Sequence, residues 1–372
     1  MDFSGLVAEI ARGFSSFSLG NAVMIAAGVF LIYLAVAKEY EPVLLLPIGF
    51  GCILANVGMS SETGLFKILY DAGIKTELFP LLIFIGVGAM IDFSPLLSQP
   101  KMVLLGAAGQ FGIYATLLLA LLLKFPLNQA ASIGVIGAID GPTAIFVASK
   151  LAPELLAPIA VAAYSYMSLI PIIQPPIMRL MTTRKERLVR MEYAPRPVSP
   201  RVRIAFPIVV TVIISLLAPD AAPLIATLML GNLLRESGVV DRLNKAAQNE
   251  IINIATLFLG LTIGSTMTAS SFLNWQTFYI LLLGLLAFVI DTIAGLLFGK
   301  LMCWLSGYTI NPLIGACGIS AFPMAARLSA KMAQEEDFEN FILMHAMGSN
   351  TAGQLGSVIA GGLLLALVMA FH

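Results

Sequence analysis

Asp140 lies in the run Ile133-Gly-Val-Ile-Gly-Ala-Ile-Asp-Gly-Pro-Thr-Ala-Ile-Phe146, apolar on both sides, and is followed at once by the helix-breaking pair Gly141-Pro142. An ionised carboxylate at mid-bilayer costs roughly 2.5–3.5 kcal/mol on insertion scales, so its presence calls for an ion, a partner or a proton relay. The broken helix beside it frees backbone carbonyls and amides, which membrane depth tolerates only around a buried or wet cavity. Together these features predict a cation site. A second interrupted stretch, Asn311-Pro-Leu-Ile-Gly-Ala-Cys-Gly-Ile-Ser-Ala-Phe-Pro-Met-Ala-Ala-Arg327, carries neutral oxygens and one guanidinium. A small hard cation such as sodium takes several oxygen ligands, which Asp140, Asn311 and Ser320 would supply without excess negative charge. Tyr166 and Asn350 bring polar groups at equivalent places, 184 residues apart. They either face the same cavity or hydrogen-bond across helices as packing.

The elements that must position these residues are membrane helices. The chain has 372 residues, 59% hydrophobic and 11% charged, with mean hydropathy +0.93, more apolar than a soluble domain can conceal. Runs long enough to cross the bilayer fall at about 21–37, 42–58, 80–97, 101–123, 155–178, 204–218, 251–270, 276–302 and 338–370. The 21 basic and 21 acidic residues balance, so nothing points to nucleic acid. Eight of the basic residues lie between Arg179 and Arg203, and the positive-inside tendency places that stretch in the cytoplasm. It serves either topology and anionic lipid or the docking of a cytosolic partner. The first residues, Met1–Phe17, are acidic and amphipathic and predict an interfacial helix rather than a cleavable leader.

The second half repeats the first. Phe84-Ile-Gly86 matches Phe258-Leu-Gly260 at a shift of 174, and Gly134, Gly137, Pro142 and Ala144 fall on Gly315, Gly318, Pro323 and Ala325 at a shift of 181. Two halves, each with a Gly- and Pro-interrupted apolar segment, predict an all-α polytopic membrane protein with inverted repeats and two broken helices or re-entrant hairpins. The division is an N-terminal segment 1–20, a first repeat 21–181, a basic cytoplasmic linker 182–203 and a second repeat 204–372. Asp291 is a candidate for ion or proton handling or for a structural pairing, and Asp92, near Pro95, is expected at the interface. Cys52, Cys303 and Cys317 lack metal-like spacing, and His345 and His372 are too few for a cluster. The run Gly353-Gln-Leu-Gly-Ser-Val-Ile-Ala-Gly-Gly362 is expected to serve close helix packing.

At these residues the chain resembles the beta subunits of the sodium-pumping, biotin-dependent decarboxylases of oxaloacetate, methylmalonyl-CoA or glutaconyl-CoA. The carriers are the block ending at Phe146, Tyr164-Ser-Tyr-Met-Ser-Leu-Ile-Pro-Ile-Ile-Gln-Pro-Pro176, Met229-Leu-Gly-Asn-Leu-Leu-Arg-Glu-Ser-Gly238, the stretch 311–327 and Met347–Gly356. The last block reads Gly-Ser-Asn-Thr where many relatives carry Gly-Pro-Asn-Val, with the Asn kept. The resemblance implies a multi-pass subunit of the cell (inner) membrane that decarboxylates carboxybiotin, delivered by a biotin carrier, and exports sodium while a proton is consumed. It implies partners, namely the carrier, a carboxyltransferase subunit and a small single-span subunit, in an oligomeric assembly. It makes Asp140 the functional acid, aligns Asn311, Gly315, Ser320 and Arg327 with the second broken-helix motif, and aligns Tyr166 and Asn350 with the remaining polar positions. The expected sodium ligands are Asp140, Asn311, Gly315, Ser320 and Asn350. Tyr166 is expected to relay the proton, and Arg327 to hold the carboxylate of carboxybiotin, which its planar fork suits. The alternatives are a sodium-coupled secondary transporter with no enzymatic step and a plain membrane anchor for a soluble decarboxylase.

Overall fold

A computed structural model describes residues 17–39, 41–59, 64–138, 140–192 and 197–370. The expected interfacial helix, Arg196 in the linker and His372 lie outside the described residues. Among these residues every regular element is helical. The first half runs α1 (Leu19–Ala37), α2 (Pro42–Asn56), α3 (Gly64–Leu69) with a π turn (Tyr70–Ile74), α4 (Leu78–Met90), α5 (Ser94–Ser98), α6 (Val103–Ala108), α7 (Phe111–Leu122), α8 (Leu127–Gly134) with a 3-10 turn (Val135–Ala138), α9 (Gly141–Leu151) and α10 (Leu156–Met181). After α11 (Arg184–Arg187) in the linker, the second half follows the same plan. It runs α12 (Pro200–Leu217), α13 (Ala222–Ser237), α14 (Asp241–Ala246) with a π turn (Ala247–Ile251), α15 (Ile252–Ser265), α16 (Ala269–Phe272), α17 (Trp275–Leu305), a 3-10 stretch (Pro312–Cys317), α18 (Met324–Glu336) and α19 (Leu343–Ala370). The π turns and the 3-10 turns recur at corresponding places, so the duplication seen in a few glycines extends to the element order.

Among the described residues six helices are long and apolar enough to cross a membrane, or up to eight if each of two bent pairs counts as one span. Several expected spans shift. α4 stops at Met90, because Asp92 accepts from the Ser94 amide at 2.8 Å and starts a new turn, and α19 begins at Leu343 rather than 338. Asp92 is partly exposed beside Arg235 at 3.8 Å, as an interfacial acid should be. α10 bends by 61° between Met167 and Leu169. Its cause is in the sequence: Pro171 lacks an amide for the Met167 carbonyl four residues back, and its ring crowds that carbonyl.

The halves interlock by exchanging equivalent helices. α2 crosses α15 at Gly51 and Gly264, and α4 crosses α13 at Gly88 and Gly231, where a Cβ would run into the opposing backbone. Small residues permit this approach, which replaces the missing hydrophobic drive between helices in lipid. The basic linker is tied down as well. Arg187 pairs with Glu336 at 2.7 Å, Arg190 with Asp337 at 2.7 Å and Glu339 at 3.1 Å, and Arg179 with Glu335 at 2.9 Å. Much of the charge that the sequence offers to lipid or partner is matched within the chain, by acids at the end of α18.

Candidate functional site

Asp140 occupies the N-cap position of α9 in extended backbone, φ −129° and ψ 97°. Pro142 at the second helical position needs no amide donor there, so the break costs little locally. The carboxylate is 5% exposed and is met from both halves of the chain. Its Oδ2 accepts from Thr143 Oγ at 2.6 Å, from Gln354 Nε2 at 3.1 Å and from Ser357 Oγ at 3.1 Å. Gln354 and Ser357 sit one turn apart on α19, inside the run that the sequence assigned to packing. The glycines of that run do pack, Gly353 on the Gly318 carbonyl and Gly356 against Gly106. The polar residues between them reach the acid. Polar side chains three apart on one helix face were the available signal.

Beside Asp140 opens a cavity of about 370 Å³, lined among others by Asp140, Tyr164, Gln248, Asn253, Ser320 and Gln354. It lies between the halves, with Tyr164 from α10, Gln248 from the second π turn, Asn253 from α15 and Ser320 from the second interrupted segment. Ser320 donates to the Gly353 carbonyl at 3.2 Å and keeps its oxygen available toward this space. Asp140 and Ser320 therefore line the same cavity.

Other expected site residues go elsewhere. Asn311 caps the 3-10 stretch, its Oδ1 accepting from Leu313 N at 3.0 Å, while its amide donates to the linker carbonyls of Arg187 and Val189 at 3.0 and 2.8 Å. Its functional groups are used in fastening the linker, with Asn340 donating to the same two carbonyls. Gly315 lies against Gly295 and Gly299 of α17, where any side chain would collide with the Gly295 carbonyl. Asn350 donates to Cys317 O at 3.2 Å and Ile319 O at 2.7 Å, gripping the second segment rather than touching Asp140.

Tyr166 donates to the Leu281 carbonyl and lies against Gly284 of α17. The tyrosine at the cavity is Tyr164, whose ring lies on Gly141 and whose buried hydroxyl has no hydrogen-bond partner among the described residues. Two residues on a helix differ by about 200° in direction, so the choice between them depended on rotation that the sequence leaves open. Arg327 is exposed on α18, and no ion pair to it exists among the described residues. Eight residues, about 12 Å of helix, separate it from Glu335 at the linker end.

The profile of the family described as Na+-transporting oxaloacetate decarboxylase beta subunit matches residues 20–368. Methylmalonyl-CoA decarboxylase subunit beta of Veillonella parvula is 54% identical, over 96% of this chain and 95% of that protein. Glutaconyl-CoA decarboxylase subunit beta of Acidaminococcus fermentans is 54% identical over the same shares. Oxaloacetate decarboxylase beta chain of Klebsiella pneumoniae is 46% identical, over 96% of this chain and 97% of that protein.

Proposed function

From the premise that the chain belongs to the family of sodium-transporting decarboxylase beta subunits, we propose that Asp140 is the sodium-carrying acid and that carboxybiotin is what the subunit decarboxylates. The observation that carries this reading is a buried carboxylate held by donors of both halves at the edge of a polar cavity between them. Thr143 and Ser357 hydroxyls can rotate, and the Gln354 amide can turn, so that donors to an empty carboxylate become oxygen ligands when sodium arrives. Ser320 from the second segment adds a further oxygen. The site is then neutral, which is the condition for carrying charge through lipid.

Decarboxylation breaks the bond between the biotin nitrogen and the carboxyl carbon, carbon dioxide leaves, and the nitrogen takes up one proton. Moving one sodium against 100 mV needs about 2.3 kcal/mol, so the acid must face one side at a time. Asp140 alternates between sodium-bound and protonated states, and Tyr164, on the cavity wall, is better placed than Tyr166 to pass the proton. Arg327, exposed and with no ion pair among the described residues, receives the carboxylate of carboxybiotin. The carrier of that group, a carboxyltransferase and a small single-span subunit complete the assembly. The alignments to the two acyl-CoA relatives span 357 and 359 positions and that to the oxaloacetate one 422, so this chain shares the compact length of the acyl-CoA relatives, which supports an acyl-CoA as the substrate of the complex.

The two halves are inverted in the bilayer. Gln129, at the start of the first half's interrupted region, accepts from Gln276 at the N-terminal end of α17, 3.0 Å away, whereas the second interrupted region begins beyond the opposite end of that helix, beside the linker. Uptake of sodium-22 by vesicles holding the reconstituted complex, compared across the three acids, tests the function. Wild-type uptake with Asp140→Asn would sink it.

A further inference from the structure

The cavity at Asp140 carries a second carboxyl on its wall, that of Glu41. Glu41 leads into α2 in left-handed backbone, φ 36° and ψ 59°, a conformation that strains a residue with a Cβ and that glycine would take freely. Strain of this kind persists where the side chain is used. The ordinary uses are absent. Its carboxyl makes no capping bond to α2, and it has no ion pair among the described residues.

The crossing of α2 with α15 fixes where Glu41 sits. The two helices run parallel, since a Cβ on Gly260 would meet the Leu44 carbonyl at 3.2 Å and one on Gly264 the Cys52 amide at 2.8 Å. Glu41, three residues before Leu44, is therefore level with Thr256, and Asn253 and Thr256 of α15 line the same cavity. Neither of those side chains has a hydrogen-bond partner among the described residues. From this level the cavity reaches Met90, the last residue of α4. Met90 offers its carbonyl to Arg235 at 3.1 Å, and the neighbouring Glu236 pairs with Arg203 of the basic linker at 3.4 Å. The cavity thus extends from Asp140 toward the linker face, with Glu41 on its wall.

Among the lining residues Glu41 and Asp140 are acidic and none is basic. A cleft of one sign with apolar walls, here Leu44, Ile83, Val87 and Ile252, focuses its field and raises the local concentration of the counter-ion by roughly 10- to 1,000-fold. We propose that Glu41 is the recruiting acid of the sodium path. It draws the cation in from the linker face and passes it to Asp140, while the Asn253 and Thr256 oxygens replace part of its water on the way. This rests on the reading of Asp140 as the sodium-carrying acid. Glu41 adds no resident ion: it governs how readily the site fills during turnover, not how many ions are bound.

The test uses the assembled complex. Glu41→Gln keeps the shape of the side chain and removes its charge. We expect the half-saturating sodium concentration for decarboxylation to rise roughly tenfold, with the rate at saturating sodium and the sodium bound per beta chain unchanged. The gap to wild type should narrow as choline chloride is added, because screening weakens an attraction that only the wild type has. Glu41→Asp should recover most of the loss. Glu41→Gly should show the same sodium defect with a thermal unfolding midpoint no lower than wild type, since the left-handed strain is gone. An unchanged half-saturating concentration in Glu41→Gln and Glu41→Gly would overturn the proposal. A lower saturated rate with a shifted pH profile would replace it with a proton-handling acid, and one sodium fewer per chain with a fixed ligand. Should no Glu41 variant assemble, Asn253→Leu takes their place, and sodium dependence unchanged there would sink this route. Failure of sodium to protect Asp140 from a hydrophobic carbodiimide in the wild type would instead refute the Asp140 reading alone.

Discussion

Asp140 shows what one carboxylate needs in order to be buried, namely hydrogen-bond donors that replace water. Three side chains donate to the same oxygen, Oδ2, and two of them come from α19. Replacing Gln354 with Leu is expected to raise the sodium concentration for half-maximal decarboxylation by about 10- to 100-fold, read from the sodium dependence of the complex. Ser357→Ala should act in the same direction with a smaller effect, because its one hydroxyl proton is shared between Asp140 and the Gln354 carbonyl, 2.9 Å away. Asn311 is a contrasting case. Its amide makes two bonds to the linker backbone, each worth about 0.5–1.5 kcal/mol. Asn311→Ala should therefore lower the thermal unfolding midpoint of the subunit and expose residues 187–189 to amide exchange.

At the scale of elements, close crossings and a salt-bridged linker hold the halves in register. Gly88→Val would drive two methyl groups into the Leu228 backbone of α13. Overpacking of this kind costs about 1–3 kcal/mol or more, and a fall in thermal stability in detergent is the expected readout. The linker contacts titrate. The hydrogen bond from Arg187 holds the Glu336 carboxyl below its ordinary value, and that from Arg190 does the same for Asp337. Carboxylates depressed in the folded state stabilise it above their ordinary pKa and lose that contribution as pH falls through the depressed values. Proteolysis within 184–192 should be slow near pH 6 and accelerate in the acid range below about pH 4. High salt should accelerate it too, chiefly through the Arg190 pair, whose guanidinium is exposed.

At the scale of the whole molecule, the proposed inversion of the halves predicts that equivalent turns face opposite sides of the membrane. Lys124, after α7, and Tyr308, after α17, both adopt left-handed backbone at φ near 65° and are exposed. Cysteines placed at the two positions should react with an impermeant thiol reagent from opposite sides; labelling of both from one side would refute the inversion. The sequence by itself determined the membrane class, the interrupted segments and the burial of a carboxylate at Asp140, because helix breakers and a charge within an apolar run are local and costly enough to show. It also carried the family blocks. Tertiary structure alone decided which neighbours meet. Whether Tyr164 or Tyr166 reaches the cavity depends on the rotation of α10, and whether Asn311 binds an ion or the linker depends on where the linker folds back. Gln354 and Ser357 were masked by the glycines around them, since a small-residue stripe looks the same whether the polar residues between its glycines face lipid, a packed helix or a buried carboxylate.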